Sequence, residues 1–243
     1  MILLALEMSN PSAMSAAAAA IAIARIRNPE NAETEVLTAL NAFAQPAADT
    51  TPDETPTARP IDPASLIERA LQEAGLAPRD VTDIAVSVGP GGYTATRTAT
   101  AASAALALAT GARLHAVPTP SIASNAMQDR SGHHAVILAR KRDTAHRSLF
   151  PPHSNIPIEQ SVLPIAEIAV TSPSRLAADV LTIAALQATR LLPESTSTET
   201  LKLCATNMIT ALPAAREVSP AALHPVYPRE PEAVANWRKL HPR

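Results

Sequence analysis

The chain has 243 residues, 20 Lys and Arg against 22 Asp and Glu, a net charge of -2 and 47% hydrophobic residues. That length can bury one large core or two smaller lobes, and the near-neutral balance, with a pI of about 6.4, argues against polyanion binding through overall charge. Cys204 is the single cysteine, so no internal disulfide forms and a reducing compartment is expected.

Basic residues are mostly arginine, with lysine only at Lys141, Lys202 and Lys239. Rings are scarce (Phe43, Tyr93, Phe150, Tyr227 and Trp237), which disfavours a stacking platform for single-stranded nucleic acid. No stretch reaches the roughly 20 apolar residues of a membrane span. The opening MILLALEMSNPSAMSAAAAAIAIA is apolar but lacks a basic leader, and Glu7 interrupts its first run. It is expected to be mature cytoplasmic sequence rather than a signal peptide.

In chain order, residues 2–6 form a short apolar run closed by Glu7 and Ser9-Asn10-Pro11, which predicts a buried strand. Residues 16–26 read either as an alanine-rich helix or as a second strand antiparallel to the first. Residues 35–40 suit a strand or a helical turn. Residues 45–61, QPAADTTPDETPTARPI, lack apolar period and predict a surface loop. Asp62-Pro63 then supplies an N-cap and a first-turn proline, and Gly75 supplies a stop. Residues 84–88 predict a strand covered on both faces.

Gly89 to Gly92 turns the chain, with Thr94 expected to cap a helix that runs to Thr110 and ends at Gly111. Residues 114–117 predict another strand, and PTPSIASNAM a proline-capped helix start. Residues 135–139 and 145–150 predict two strands joined by Arg140-Lys141-Arg142-Asp143. A proline-rich connector follows, then a strand at 167–170, a helix over 173–192, and a polar loop LPESTSTET. The tail mixes a proline-punctuated segment with a short terminal helix.

The helix over 94–110 shows no charge beyond Arg97. One stripe holds Ala95, Ala99, Ala102, Leu106 and Ala109; another holds Thr98, Ala101, Ala105 and Leu108. A helix apolar all round is a buried helix. Either a partner subunit covers it, or another part of the chain does, with the helix over 63–74 as the candidate. The turn Gly89-Pro90-Gly91-Gly92 has the strand-to-helix placement of an anion site, but it matches neither phosphate-loop pattern and carries no lysine.

Several other chemistries lack a pattern. His133 and His134 are adjacent, and His115, His146, His153, His224 and His241 are scattered, so no metal-ligand spacing appears. Ser121 and Ser124 have no nucleophile elbow, and Cys204 has no neighbouring histidine. The basic cluster Arg140, Lys141, Arg142, His146 and Arg147 reads as a solvated hairpin turn or as phosphate contacts. No catalytic, cofactor or metal residues are therefore assigned.

The segments MILLALEMSNPS, GLAPRDVTDIAVSVGPGGYTATR, LALATGARLHAVPTPS and HPVYPREPEAV together resemble the TsaB (YeaZ) family. Glu7, Gly89, Pro90, Gly91, Thr94, Arg97, Tyr227 and Arg229 match its motifs. The sequence departs at Met8, Gly92, Tyr93 and Ala95, and Leu138-Ala139-Arg140-Lys141 lacks the family's aspartate. The resemblance implies an α/β fold of two ribonuclease H-like lobes of the actin-like ATPase / sugar kinase (ASKHA) type, here divided as residues 1–112 and 113–243.

It further implies a non-catalytic subunit without a cofactor of its own. That subunit binds and activates a TsaD-type transferase and, with a TsaE-type ATPase, serves formation of threonylcarbamoyladenosine next to the anticodon. tRNA would be reached only through the complex, in the cytoplasm and without a membrane. By resemblance the partner, or a second copy of the chain, would be bound through Leu66, Ile67, Ala70, Leu71, Ala74, Thr98, Ala99, Ala101, Ala102, Ala105 and Leu106. The alternative is an active ATP-dependent transferase of the same fold. Tyr227 and Arg229 are expected to tie the tail to a lobe by packing and a salt bridge.

Overall fold

A computed structural model describes residues 1–9, 19–28, 33–42, 62–201, 203–229 and 232–241. The predicted loop over 45–61 and the start of the 16–26 segment lie outside them. The first sheet is built from β1 (Ile2–Glu7), β2 (Ala19–Asn28), β3 (Glu33–Ala42), β4 (Asp83–Ser87), β5 (Arg113–Val117) and β11 (Arg216–Val218), in the order β11-β5-β4-β1-β2-β3. β1 runs parallel to β4 and antiparallel to β2, so Leu4 sits between Ile23 and Ile84. The 16–26 segment therefore supplies a strand, and so does 35–40.

The second sheet is built from β6 (His134–Lys141), β7 (Thr144–Phe150), β8 (Glu159–Pro164), β9 (Arg175–Ala178) and β10 (Ser197–Thr200), in the order β10-β9-β6-β7-β8. Its first three strands are antiparallel in sequence, and β9 and β10 then add in parallel to β6. This repeats the β5-β4-β1-β2-β3 topology of the first sheet.

The helices repeat too. α1 (Pro63–Ala74), α2 (Tyr93–Thr110) and α3 (Thr119–Ala126) follow β3, β4 and β5, as α4 (Ile165–Thr171), α5 (Val180–Ala188) and α6 (Ala205–Ala211) follow β8, β9 and β10. α3 packs on β6 of the other sheet and α6 packs on β1 and β2, so these two helices lie between the sheets and against each other. α7 (Glu232–Leu240) closes the described chain.

Period-2 alternation explains why β1 is apolar throughout. Leu3 and Ala5 face a central core shared with Ile122, Val136, Leu138, Phe150 and Met208. Leu4 and Leu6 face an outer core with Ile23, Leu66, Ala70, Ile84 and Ala99. A strand covered on both faces has no polar side to show. The second lobe has its own outer core, where Ile137 and Leu176 meet Ile168 of α4 and Leu186 of α5.

Several expectations are corrected. Residues 167–170 belong to helix α4 rather than a strand, because Ile165, Ile168 and Ala169 bury one helical face. The helix expected over 173–192 is instead β9 followed by α5, with Asp179 as the N-cap accepting from the Thr182 amide at 3.0 Å. The proline-rich connector contains β8, and the polar loop contains the edge strand β10. The division between sheets falls after Val117 rather than at residue 112, because β5 pairs with β4, and β11 returns to the first sheet from the far end of the chain.

Candidate functional site: the glycine loop, the tail and the face of α2

The loop after β4 is fixed on three sides. The Val88 amide donates to the Val117 carbonyl at 3.0 Å, the Thr119 amide to the Gly89 carbonyl at 3.0 Å, and the Gly92 amide to the Ser9 carbonyl at 3.2 Å. Gly89 has φ +97, which disfavours other residues. Its backbone also passes so close to the tail that a Cβ would come within 2.9 Å of the Val226 carbonyl oxygen. A Cβ at Gly91 would collide with the Ser9 carbonyl. The predicted cap Thr94 is exposed, and Gly92 occupies the N-cap of α2 without a side-chain bond.

Glu7, at the end of β1, is 1% exposed. Its Oε1 accepts from the Ser9 amide at 2.6 Å and from the Ser9 hydroxyl, while Oε2 is buried without a partner among the described residues. Thr119 Oγ1 donates to Ser9 Oγ at 2.8 Å. Burial raises the Glu7 pKa against the opposing pull of the Ser9 bonds and, more weakly, of the nearby Ser87 hydroxyl. Ser9 thus lies over both the carboxylate and the glycine loop.

The tail motif lands beside this loop. The Tyr227 ring lies 4.9 Å from that of Tyr93, whose hydroxyl accepts from Arg97 Nη1 at 2.9 Å. Arg229 Nη1 donates to the Ala139 carbonyl at 2.7 Å, a backbone acceptor in place of the carboxylate of the expected salt bridge. Among the described residues, its Nε and Nη2 are buried without acceptors, and His146 Nδ1 is likewise buried without a partner. Burial and the nearby Arg229 charge hold His146 down to about 4.

The basic cluster divides. Arg140, Lys141 and Arg142 face solvent, whereas His146 and Arg147 are buried, and Arg147 pairs with Glu159 at 2.7 Å. Sequence reading also missed a pair: Ser124 Oγ and His134 Nε2 lie 2.7 Å apart. Both residues are fully buried, the ring stacks on Phe150, and the serine also reaches the Ser154 carbonyl, so no substrate has access. Among the described residues no group of three or more His, Cys, Asp or Glu could hold a metal, and no helix is long and apolar enough to cross a membrane.

The partner-binding residues proposed from the sequence fall into two sets. Leu66, Ala70 and Ala99 are buried in the chain's own outer core, as are Ile67 and Leu71, which also line the groove between α1 and α2. α2 turns Thr96, Ala99, Thr100, Ser103 and Ala107 toward the sheet. Ala101, Ala105, Leu108 and Ala109 are exposed, and Thr98, Ala102, Leu106 and Ala74 are half-buried. Leu108 stands 74% exposed. Between α1 and α2 runs a groove of about 660 Å³, lined by Ala64, Ile67, Leu71, Ala102, Ala105 and Leu106 among others. Within the described chain, α1 borders the bare face without covering it.

Two ribonuclease H-like lobes with their third helices exchanged between sheets define the actin-like fold class. The comparisons agree with that class and with the resemblance to the TsaB (YeaZ) family. The model of the family TsaD, tRNA N6-adenosine threonylcarbamoyltransferase, matches residues 62–141. Two solved structures share the fold over nearly the whole chain. One is described as an uncharacterized protein with similarity to peptidase YeaZ from Pseudomonas aeruginosa (TM-score 0.67, 17% identity, 94% of this chain and 99% of that one). The other is YeaZ from Pseudomonas aeruginosa (TM-score 0.64, 18% identity, 93% and 99%). No curated protein matches by sequence.

Proposed function

We propose that this chain is a TsaB-like, non-catalytic partner subunit that binds and activates a TsaD-type transferase making threonylcarbamoyladenosine in tRNA. A TsaE-type ATPase would join the assembly, and tRNA would be met only through it, in the cytoplasm. The observation that carries the reading is the exposed, uncharged face of α2 beside an open groove. Solvent-facing helix surfaces normally carry charge, and a contiguous apolar patch of this kind marks a protein contact. The carboxylate of Glu7 is engaged by Ser9, whose carbonyl abuts Gly91, and the loop carries no lysine, which supports a chain that does not act on nucleotide.

Co-purification with the TsaD-like protein of the same organism, followed by assay of tRNA modification, tests this. The modification should require both chains. Full activity of the transferase alone would overturn the reading. The two-lobed actin-like frame also favours a second reading, an ATP-dependent transferase. Titration with ATP and magnesium separates the two, since micromolar binding with turnover by the isolated chain would establish the second.

A further inference from the structure

A short stretch of the tail reaches from one lobe to the other. Leu223 is buried in the outer core of the first lobe, and the preceding turn Pro220–Ala222 packs on α2. The Val226 amide donates to the Val88 carbonyl at 2.6 Å, and Tyr227 lies on Tyr93. Two residues further on, Arg229 reaches the Ala139 carbonyl of β6, the central strand of the second lobe. That carbonyl is available because the β6–β7 register shifts between Leu138 and Lys141, leaving Ala139 outside the paired positions with φ +50.

We propose that residues 223–229 form an interlobe latch, in which Arg229 fixes the second lobe against the glycine loop and the first turn of α2. The latch is built to release. Arg229 Nε and Nη2 are buried without acceptors among the described residues, and His146 nearby also lacks a partner at Nδ1. Asp143 contributes a longer-range attraction. A half-buried guanidinium with two nitrogens out of water and one carbonyl partner is undercompensated. A conformation that returns the guanidinium to water regains its hydrogen bonds, and lobe opening is such a conformation.

The test uses the full chain with Cys204→Ser, carrying spin labels at Arg79→Cys on the first lobe and Glu194→Cys on the second, both exposed positions. Pulsed electron resonance should give one narrow distance distribution. Arg229→Ala should broaden it toward longer distances and raise amide exchange across residues 86–96. Arg229→Lys, which keeps a donor for Ala139, should restore the narrow distribution. Should Arg229→Ala fail to fold, Tyr227→Ala carries the same measurement, because its ring is partly exposed. Distributions and exchange unchanged in the variant that folds would overturn the latch.

Discussion

The carbonyl oxygen of Ser9 stands where a side chain at Gly91 would have to be, and it also accepts the amide of Gly92. The segment after β1 and the loop after β4 are thereby locked into one unit. Gly91→Ala forces these backbones apart, and overpacking of this kind costs about 1–3 kcal/mol. Denaturant unfolding should show a loss in that range with an unchanged slope. A neutral result would mean that the two segments are not in contact.

Glu7 gives a pH signature. Burial raises its folded pKa above 4.5, so the folded chain retains a proton that the unfolded chain has released. Its contribution to stability is therefore present below pH 4.5 and is lost as pH rises through the folded pKa. Glu7→Gln keeps an acceptor for Ser9 and removes the titration. Its stability should fall less than that of the wild type as pH rises from about 4.5, measured by thermal unfolding across a pH series.

His146 acts in the opposite sense. Its pKa is held down to about 4 from 6.5, so the unfolded chain binds the extra proton first and stability falls as pH drops between those values. The penalty on full protonation is on the order of 3 kcal/mol. His146→Phe should flatten the acid limb of the stability profile, provided the larger ring is accommodated. A limb of unchanged steepness would place the acid sensitivity elsewhere.

The two sets of helix residues should separate cleanly on mutation. Leu71, 4% exposed in the outer core, cannot take an aspartate, and Leu71→Asp should destabilise by more than about 3 kcal/mol. Leu71 is thus unsuitable as an interface probe. Ala105→Glu and Leu108→Glu lie on the bare face and should change stability by no more than about 0.5 kcal/mol. Circular dichroism melts read both effects.

The sequence made β1 and β4 readable because each carries an apolar run covered on two sides, and α1 because Asp62 and Gly75 mark its ends. The stretch 165–192 was misread for a physical reason. Its short strand Arg175–Ala178 uses the same Leu and Ala as the helices around it, and the cap that divides them is the lone Asp179. The edge strands β8 and β10 are polar and read as connectors. On α2 the small residues occur on every side, so periodicity alone could not show that Ala99 faces the sheet while Ala101 and Ala105 face outward. The contacts of Ser9 with Gly91 and of Arg229 with Ala139 join residues far apart in sequence, and no local pattern announces them.

The central claim is that another polypeptide covers the outward face of α2. Sedimentation of the chain mixed with the TsaD-type protein of the same organism tests it most directly, with Leu108→Glu and Ala105→Glu run alongside as folded controls. The account predicts a complex with the wild-type chain that either substitution abolishes. A wild-type chain that stays monomeric at high concentration and ignores the transferase would contradict it, as would a complex that both glutamates leave intact.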